Sequence, residues 1–149
     1  MWRDRQFLVA LFAGPLFWAA WSLIAAPGFE SRFEPWWPLR DPTRFLLPAL
    51  VYPILEELAF RGLLQEWLYQ KPWGARGIWQ MRSPISRANW LATLLFALAH
   101  LLYHTPSWAA VVIFPSLVFG YFRDRYQSVA PAIVLHVFYN AGYFWLFAA

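Results

Sequence analysis

Five long apolar segments alternate along the chain with short polar stretches that are rich in proline and glycine. The segments cover approximately residues 7–26, 45–70, 88–104, 108–122 and 129–147. A helix needs about 20 residues to cross a bilayer, and the first, second and fifth segments reach that length. The third and fourth are shorter and lie close together, so they could form a re-entrant pair or cross a thinned bilayer. This pattern predicts an all-α integral membrane protein, a bundle of about five transmembrane helices.

The composition agrees with a membrane protein. Hydrophobic residues make up 60% of the chain and charged residues 13%, and the mean hydropathy is +0.40. Soluble domains have an apolar share of about 45–50%. The 149 residues allow one domain, which we predict to comprise residues 1–149. Because the chain contains no cysteine, disulfides and thiolate metal ligands are excluded.

Basic residues are unevenly distributed between the predicted loops. If the N-terminus is cytoplasmic, the inner side carries eight lysine and arginine residues and the outer loops carry three. This bias predicts a cytoplasmic N-terminus. The membrane topology and contact with the lipid bilayer also explain the net charge of +4, so the charge does not indicate a nucleic-acid groove. We interpret segment 7–26 as a retained anchor helix, because its 20 apolar residues exceed a typical signal core.

Several ionisable or amide side chains lie deep within the predicted spans. Such a charge costs about 2.5–3.5 kcal/mol on insertion scales, so these residues usually face a protein interior and have a function. Three different segments contribute them: Glu56, Glu57, Arg61, His100, His136 and Asn140. At about 1.5 Å per residue, their predicted depths place them near the middle of the membrane. We therefore expect them to enclose one polar site.

Helical spacing predicts which of these side chains interact. Glu57 and Arg61 are four residues apart with the acid first, the favourable order for an ion pair on one face. Glu56 is rotated by about 100° from Glu57 and points elsewhere, into the bundle. Pro48 and Pro53 remove backbone donors on the preceding turns, so we expect a bend and a polar cavity beside Glu56.

This set of groups is suited to the hydrolysis of an amide by water. A carboxyl group and an imidazole, Glu56 and His100, can form a general acid/base pair that activates water. A second imidazole and an amide, His136 and Asn140, can donate hydrogen bonds to an oxyanion. Taken singly, each has a simpler structural interpretation, such as a packed carboxyl or an interhelical hydrogen bond, and His104 keeps that interpretation. The sequence lacks GxSxG and HExxH motifs and paired membrane aspartates.

Three motifs on three predicted helices resemble those of the CAAX-processing and bacteriocin-processing (CPBP, or Abi) intramembrane proteases. That family includes the eukaryotic Ras-converting endopeptidase, and its motifs are EExxxR, FxxxH and HxxxN or HxxxD. The chain contains EELAFR at 56–61, FALAH at 96–100 and HVFYN at 136–140. The resemblance covers about residues 45–147.

The resemblance implies a glutamate-dependent, metal-independent intramembrane endopeptidase without a cofactor. Glu56 and His100 would activate water, His136 and Asn140 would stabilise the oxyanion, and Glu57 with Arg61 would orient the site. The substrate would be a membrane-anchored or C-terminally processed protein. The small size resembles members linked to bacterial C-terminal protein sorting, which implies a bacterial inner membrane. Many relatives have seven or eight spans, so the substrate entrance and an oligomeric state stay open.

Two other functions are compatible with the sequence. One is a non-catalytic immunity or scaffold protein of the same fold, which would tolerate Glu56→Gln. The other is a zinc-dependent membrane protease that uses Glu56, His100 and His136 as ligands, as in three-ligand catalytic zinc sites.

Overall fold

The computed structural model describes residues 1–24, 33–77 and 84–147. Seven helices are present in these ranges: α1 (Arg5–Ile24), α2 (Trp37–Arg40), α3 (42–69), α4 (Arg87–His100), α5 (Pro106–Val111), α6 (Ile113–Tyr126) and α7 (Ala130–Phe147). The same ranges contain no strand, only an isolated antiparallel bridge between Gly77 and Ser86. The prediction of an all-helical protein is therefore confirmed.

Helix α3 corresponds to the second apolar segment and is not uniformly α-helical. Two wider, π-helical segments, Leu47–Val51 and Leu58–Gln65, interrupt it. Pro48 and Pro53 account for the first of them, because a proline cannot donate the amide hydrogen that continues an α-helix. π-Helical turns are rare and often occur at functional sites. The sequence predicted a disturbance here but not its form.

The third and fourth apolar segments differ from their predicted boundaries. Helix α4 ends at His100 rather than at residue 104, and its last turn tightens, with Leu101 N–H bonded to the Leu98 carbonyl. The predicted segment 108–122 is two helices, α5 and α6, that meet at Val112. Pro115 explains this break, because it lacks the N–H that would bond to the Val111 carbonyl in a continuous helix.

Within residues 1–24, 33–77 and 84–147, two helices are long and apolar enough to cross a membrane by length and composition: Arg5–Leu23 in α1 and Ala130–Phe147, which is α7. Helices α4 and α6 have 14 residues each. At 1.5 Å per residue they reach roughly 21 Å, less than the hydrocarbon core of about 30 Å. The five-span arrangement and its orientation therefore stay predictions.

The chain divides into two compact units. The first comprises Met1–Leu55 with Val134–Ala149, and the second comprises Glu56–Ile133. In the first unit, α1 packs closely on α7 at Gly142, where a Cβ atom would lie 2.1 Å from the Trp18 ring. The Trp18 indole donates to the Tyr139 carbonyl (3.3 Å), and the Tyr139 hydroxyl donates to the Ala10 carbonyl. Helix α7 is thus held by specific contacts along α1.

The second unit buries several polar side chains together with apolar ones such as Phe119 and Phe122, and it exposes large apolar side chains. Its solvent-inaccessible side chains include Glu57, Arg61, Gln65, Asn89, Thr93 and Ser116. Large apolar side chains face outward instead, such as Leu63 at 73% exposure and Phe114 at 74%. Soluble proteins have the opposite distribution, whereas helices surrounded by lipid turn polar groups toward one another. This arrangement agrees with a membrane environment.

Candidate active site

Glu56 and Glu57 are the last two residues of the α-helical stretch Tyr52–Glu57, immediately before the second π-helical segment of α3. Glu57 is completely buried, while Glu56 is half-buried. The two adjacent carboxyl groups therefore have different surroundings, and Glu57, not Glu56, is the one without solvent access.

The Glu57–Arg61 ion pair is formed as the spacing predicted. Arg61 Nη1 lies 3.1 Å from Glu57 Oε1, and both side chains are inaccessible to solvent. The Arg61 guanidinium also interacts electrostatically with Glu56, more weakly than with Glu57. One of its faces lies over the Phe96 ring, 4.5 Å from the centroid. The contact with Phe96 connects the first motif to the second.

A chain of hydrogen bonds fixes the second terminal nitrogen of the Arg61 guanidinium group. Arg61 Nη2 donates to the Ser116 hydroxyl (2.6 Å) and to the Ser116 carbonyl (3.2 Å). The Ser116 hydroxyl donates to Thr93 Oγ1 (2.9 Å), and the Thr93 hydroxyl donates to Asn89 Oδ1 (3.2 Å). Each hydroxyl thus accepts one bond and donates one, so α4 and α6 hold the guanidinium in a single orientation.

His100, the last residue of α4, is held by Phe96 in two ways. The two rings are 4.4 Å apart, centroid to centroid, and His100 Nδ1 lies 2.9 Å from the Phe96 carbonyl oxygen. A carbonyl oxygen can only accept a hydrogen bond, so Nδ1 carries the proton when the imidazole is neutral. The lone pair is then on Nε2, the nitrogen that can act as a base.

His104 lies outside the tightly packed part of this cluster. Its ring stacks on that of His100 at 5.6 Å with an interplanar angle of 22°, and its side chain is exposed. The structural role given to His104 from the sequence stays a prediction.

His136 and Asn140 both lie on α7, in the first unit. His136 is buried with 7% exposure, and Asn140 is half-buried. Asn140 Nδ2 donates a hydrogen bond of 3.0 Å to the Pro48 carbonyl oxygen in α3. Glu56 and His100 belong to the second unit. The convergence of all four side chains on one water molecule stays a prediction.

The comparison with protein families decides what kind of protein this is. Residues 36–142 match the family described as type II CAAX prenyl endopeptidase Rce1-like. This stretch is more than two thirds of the chain and contains all three motifs.

The chain belongs to the Rce1-like family. The resemblance predicted from the sequence is thereby confirmed, together with a CAAX-type protease class and a membrane-embedded family fold. No curated protein and no solved structure matches the chain.

The residues that hold Arg61 in place were not identified from the sequence. Ser116, Thr93 and Asn89 orient Arg61, and Gln65 donates from its amide to the Gly120 carbonyl at 2.9 Å. A signal was present, because Asn89 and Thr93 are four residues apart in an apolar segment. Gln65 likewise follows Arg61 by four residues, which places both on one face of the helix. A search for polar residues four apart within an apolar segment would have identified Asn89, Thr93 and Gln65.

Each of the two units contains side chains that could bind a metal ion. In the second unit Glu56 and His100 have the chemistry of zinc ligands, and in the first unit His136 does. Among residues 1–24, 33–77 and 84–147, no three histidine, aspartate or glutamate side chains form a group placed to hold a metal ion.

Proposed function

We propose that this Rce1-like protein is a glutamic-type intramembrane endopeptidase in which Glu56 and His100 activate a water molecule. The observation that carries the proposal is the hydrogen bond between His100 Nδ1 and the Phe96 carbonyl oxygen. It directs the proton to Nδ1, so Nε2 is the nitrogen that can bind or deprotonate water. Glu57 is completely buried in its ion pair with Arg61, and we assign proton transfer to Glu56, the carboxyl group that is only half-buried.

The reaction follows from these roles. The water oxygen attacks the carbonyl carbon of the scissile peptide bond while its proton passes to the Glu56 and His100 pair. The carbonyl oxygen becomes an oxyanion, which accepts hydrogen bonds from His136 and Asn140. When the tetrahedral intermediate collapses, the C–N bond breaks and the proton returns to the leaving nitrogen. The products are a new carboxylic acid and a new amine, which become a carboxylate and an ammonium group when the acid passes its proton to the amine, and the catalyst is unchanged.

Arg61 supports this site without taking part in proton transfer. Its charge compensates Glu57 in an interior where an isolated charge is costly. Its contacts with Phe96 and Ser116 connect α3 to the helix that carries His100. We therefore assign Glu57 and Arg61 a positioning role.

The proposed substrate is a membrane-anchored or C-terminally processed protein. The family description, a CAAX prenyl endopeptidase, supports a substrate whose cleaved bond lies near a lipid-modified C-terminus. A bacterial protein with a C-terminal sorting signal is a second candidate. The proposed setting is the inner membrane, with a cytoplasmic N-terminus and five spans, and neither nucleic acid nor a cofactor takes part.

A cleavage assay in liposomes tests the activity. Purified protein is incubated with a C-terminally prenylated CAAX peptide and with a membrane-anchored peptide that bears a sorting signal. We expect cleavage of at least one, and a loss of turnover of about 10²-fold or more in Glu56→Gln, because the variant keeps the shape of the side chain but removes its acid/base group. Glu34→Gln, an exposed glutamate, is the matched control.

The two alternatives give different results in the same assay. A non-catalytic protein of this fold would cleave neither peptide at any concentration. A zinc enzyme would lose its activity after washing with a chelator and regain it with stoichiometric zinc.

A further inference from the structure

Two prolines in α3 are five residues apart, Pro48 and Pro53. Pro48 lies inside the first π-helical segment, Leu47–Val51, and Pro53 follows two residues after its end. The Tyr52 N–H donates to the Leu47 carbonyl. This hydrogen bond spans five residues instead of the four of an α-helix. The Leu47 carbonyl is therefore paired with the amide five residues later, and the same register would pair the Pro48 carbonyl with residue 53.

The π-helical register offers the Pro48 carbonyl no amide donor five residues later. In an α-helix its partner would be the Tyr52 N–H, but that group donates to Leu47. In the π-helical register its partner would be residue 53, and a proline at that position has no N–H. Pro48 is half-buried, and carbonyl groups withdrawn from water are almost always hydrogen-bonded, so a side-chain donor would stabilise this one.

The Asn140 side chain fills this need. Its Nδ2 lies 3.0 Å from the Pro48 carbonyl oxygen. Because a carbonyl oxygen only accepts, the contact determines which end of the Asn140 amide faces α3. The amide nitrogen carries two hydrogens, so one is used by Pro48 and the second is directed elsewhere.

We propose that Pro53 is a positioning residue for Asn140. By lacking an N–H, Pro53 reserves the Pro48 carbonyl for Asn140, which then presents its second N–H to the oxyanion. The inference rests on the proposed function of Asn140 as an oxyanion donor. The hydrogen-bond arrangement itself can be tested without any activity.

The kinetic test compares two replacements that differ in one group. Pro53→Ala introduces an N–H that competes with Asn140 for the Pro48 carbonyl. Pro53→lactate, made by nonsense suppression, has an ester oxygen in place of that N–H. We expect Pro53→Ala to lower kcat about tenfold or more with KM little changed, since removal of an oxyanion donor costs about 10²–10³-fold. Pro53→lactate should restore kcat to within about threefold of the wild type.

A control variant separates the expected fall of kcat in Pro53→Ala from the general effect of removing a proline inside a helix. Pro15→Ala in α1 also adds an N–H within a helix of the first unit and should leave kcat unchanged. Equal impairment of Pro53→Ala and Pro53→lactate would assign the effect to the ring instead of the N–H. That result, or full activity of Pro53→Ala, would overturn the proposal.

The structural test uses isotope labelling. With ¹³C-carbonyl proline and ¹⁵N alanine, the sequence has two Pro–Ala pairs, Pro48–Ala49 and Pro131–Ala132, so an NMR correlation spectrum contains two signals. Asn140→Ala should shift the Pro48 carbonyl signal and leave the Pro131 signal in place. An unmoved Pro48 signal would overturn the proposal whatever the activity.

The same spectra isolate the role of Pro53. In the Pro53→Ala background, the new N–H replaces Asn140 as the donor to the Pro48 carbonyl. Adding Asn140→Ala to this variant should therefore no longer shift the Pro48 signal. In Pro53→lactate the shift should persist, and this comparison decides the matter even if Pro53→Ala does not fold. If the NMR results hold but no peptide is cleaved, the proposed function fails while the role of Pro53 in orienting Asn140 stands.

Discussion

Glu57 and Arg61 form an ion pair of 3.1 Å in which neither side chain has any solvent-accessible surface. An ion pair in such surroundings contributes little net stability, because the desolvation of both charges offsets their attraction. Removal of one partner is different, because it leaves an uncompensated charge in the interior. This asymmetry leads to the first prediction.

Arg61→Met should destabilise the protein by about 3–5 kcal/mol, since the Glu57 carboxylate stays buried without its partner. Denaturant-induced unfolding in detergent micelles measures the loss. The control is Arg40→Met, which disrupts the exposed Arg40–Glu34 pair and should cost less than about 1 kcal/mol. The double variant Glu57→Leu/Arg61→Met should recover much of the stability without recovering activity. Similar losses in Arg61→Met and Arg40→Met would contradict the importance given to burial.

The two neighbouring histidines should differ in their effect on turnover. His100→Ala removes the proposed base and should lower kcat by about 10²–10⁴-fold. His104→Ala removes an exposed ring that stacks on His100, and kcat should stay within about threefold of the wild type because no proton transfer is assigned to it. Steady-state cleavage of the same peptide measures both. An inactive His104→Ala of normal thermal stability would show that the site extends beyond His100.

Two glycines in the second unit should respond differently to an added methyl group. At Gly120 a Cβ atom would lie 2.0 Å from Asn89 Oδ1, so Gly120→Ala displaces the amide that accepts from Thr93. We expect a loss of about 1–3 kcal/mol in the free energy of unfolding.

Gly62→Ala is the matched control for that variant. The nearest atom to a Cβ at Gly62 is the Glu57 carbonyl oxygen at 3.8 Å, an ordinary contact. Its stability should change by no more than about 1 kcal/mol, in the direction of a gain, because alanine favours the helix. A Gly120→Ala variant as stable as Gly62→Ala would show that Asn89 can move without cost.

Chelation should leave the activity of this enzyme unchanged. After washing with a chelator, kcat should stay within about twofold of its starting value, because the proposed nucleophile is activated by Glu56 and His100 and not by a metal-bound hydroxide. Metal analysis of the washed, active sample provides the measurement. Stoichiometric zinc in that sample, with activity lost on its removal, would support the zinc-dependent alternative instead.

Local contacts in this protein were predictable from the sequence. The Glu57–Arg61 pair and the contact of Phe96 with His100 each join residues four apart on one helix, where the helical period alone brings side chains together. The fifth apolar segment, predicted at 129–147, corresponds to Ala130–Phe147, because an uninterrupted apolar run has clear ends.

Helix ends and irregular turns were less predictable. The end of α4 at His100 and the break at Val112 depend on hydrogen bonds that hydropathy does not encode. The π-helical segments of α3 likewise depend on whether a carbonyl bonds to the amide four or five residues later. Apolar character is similar on both sides of each boundary, so a hydropathy pattern cannot locate them.

The sequence by itself determined the helical class, the three motifs and the pairings within each helix, because these depend on composition and on a fixed period of 3.6 residues. Only the tertiary structure decided that Ser116 and Thr93 orient Arg61 and that the Pro48 carbonyl holds Asn140. Those contacts join residues that are distant in the chain. They exist because buried donors and acceptors must be satisfied by whichever groups the packing of the helices brings near.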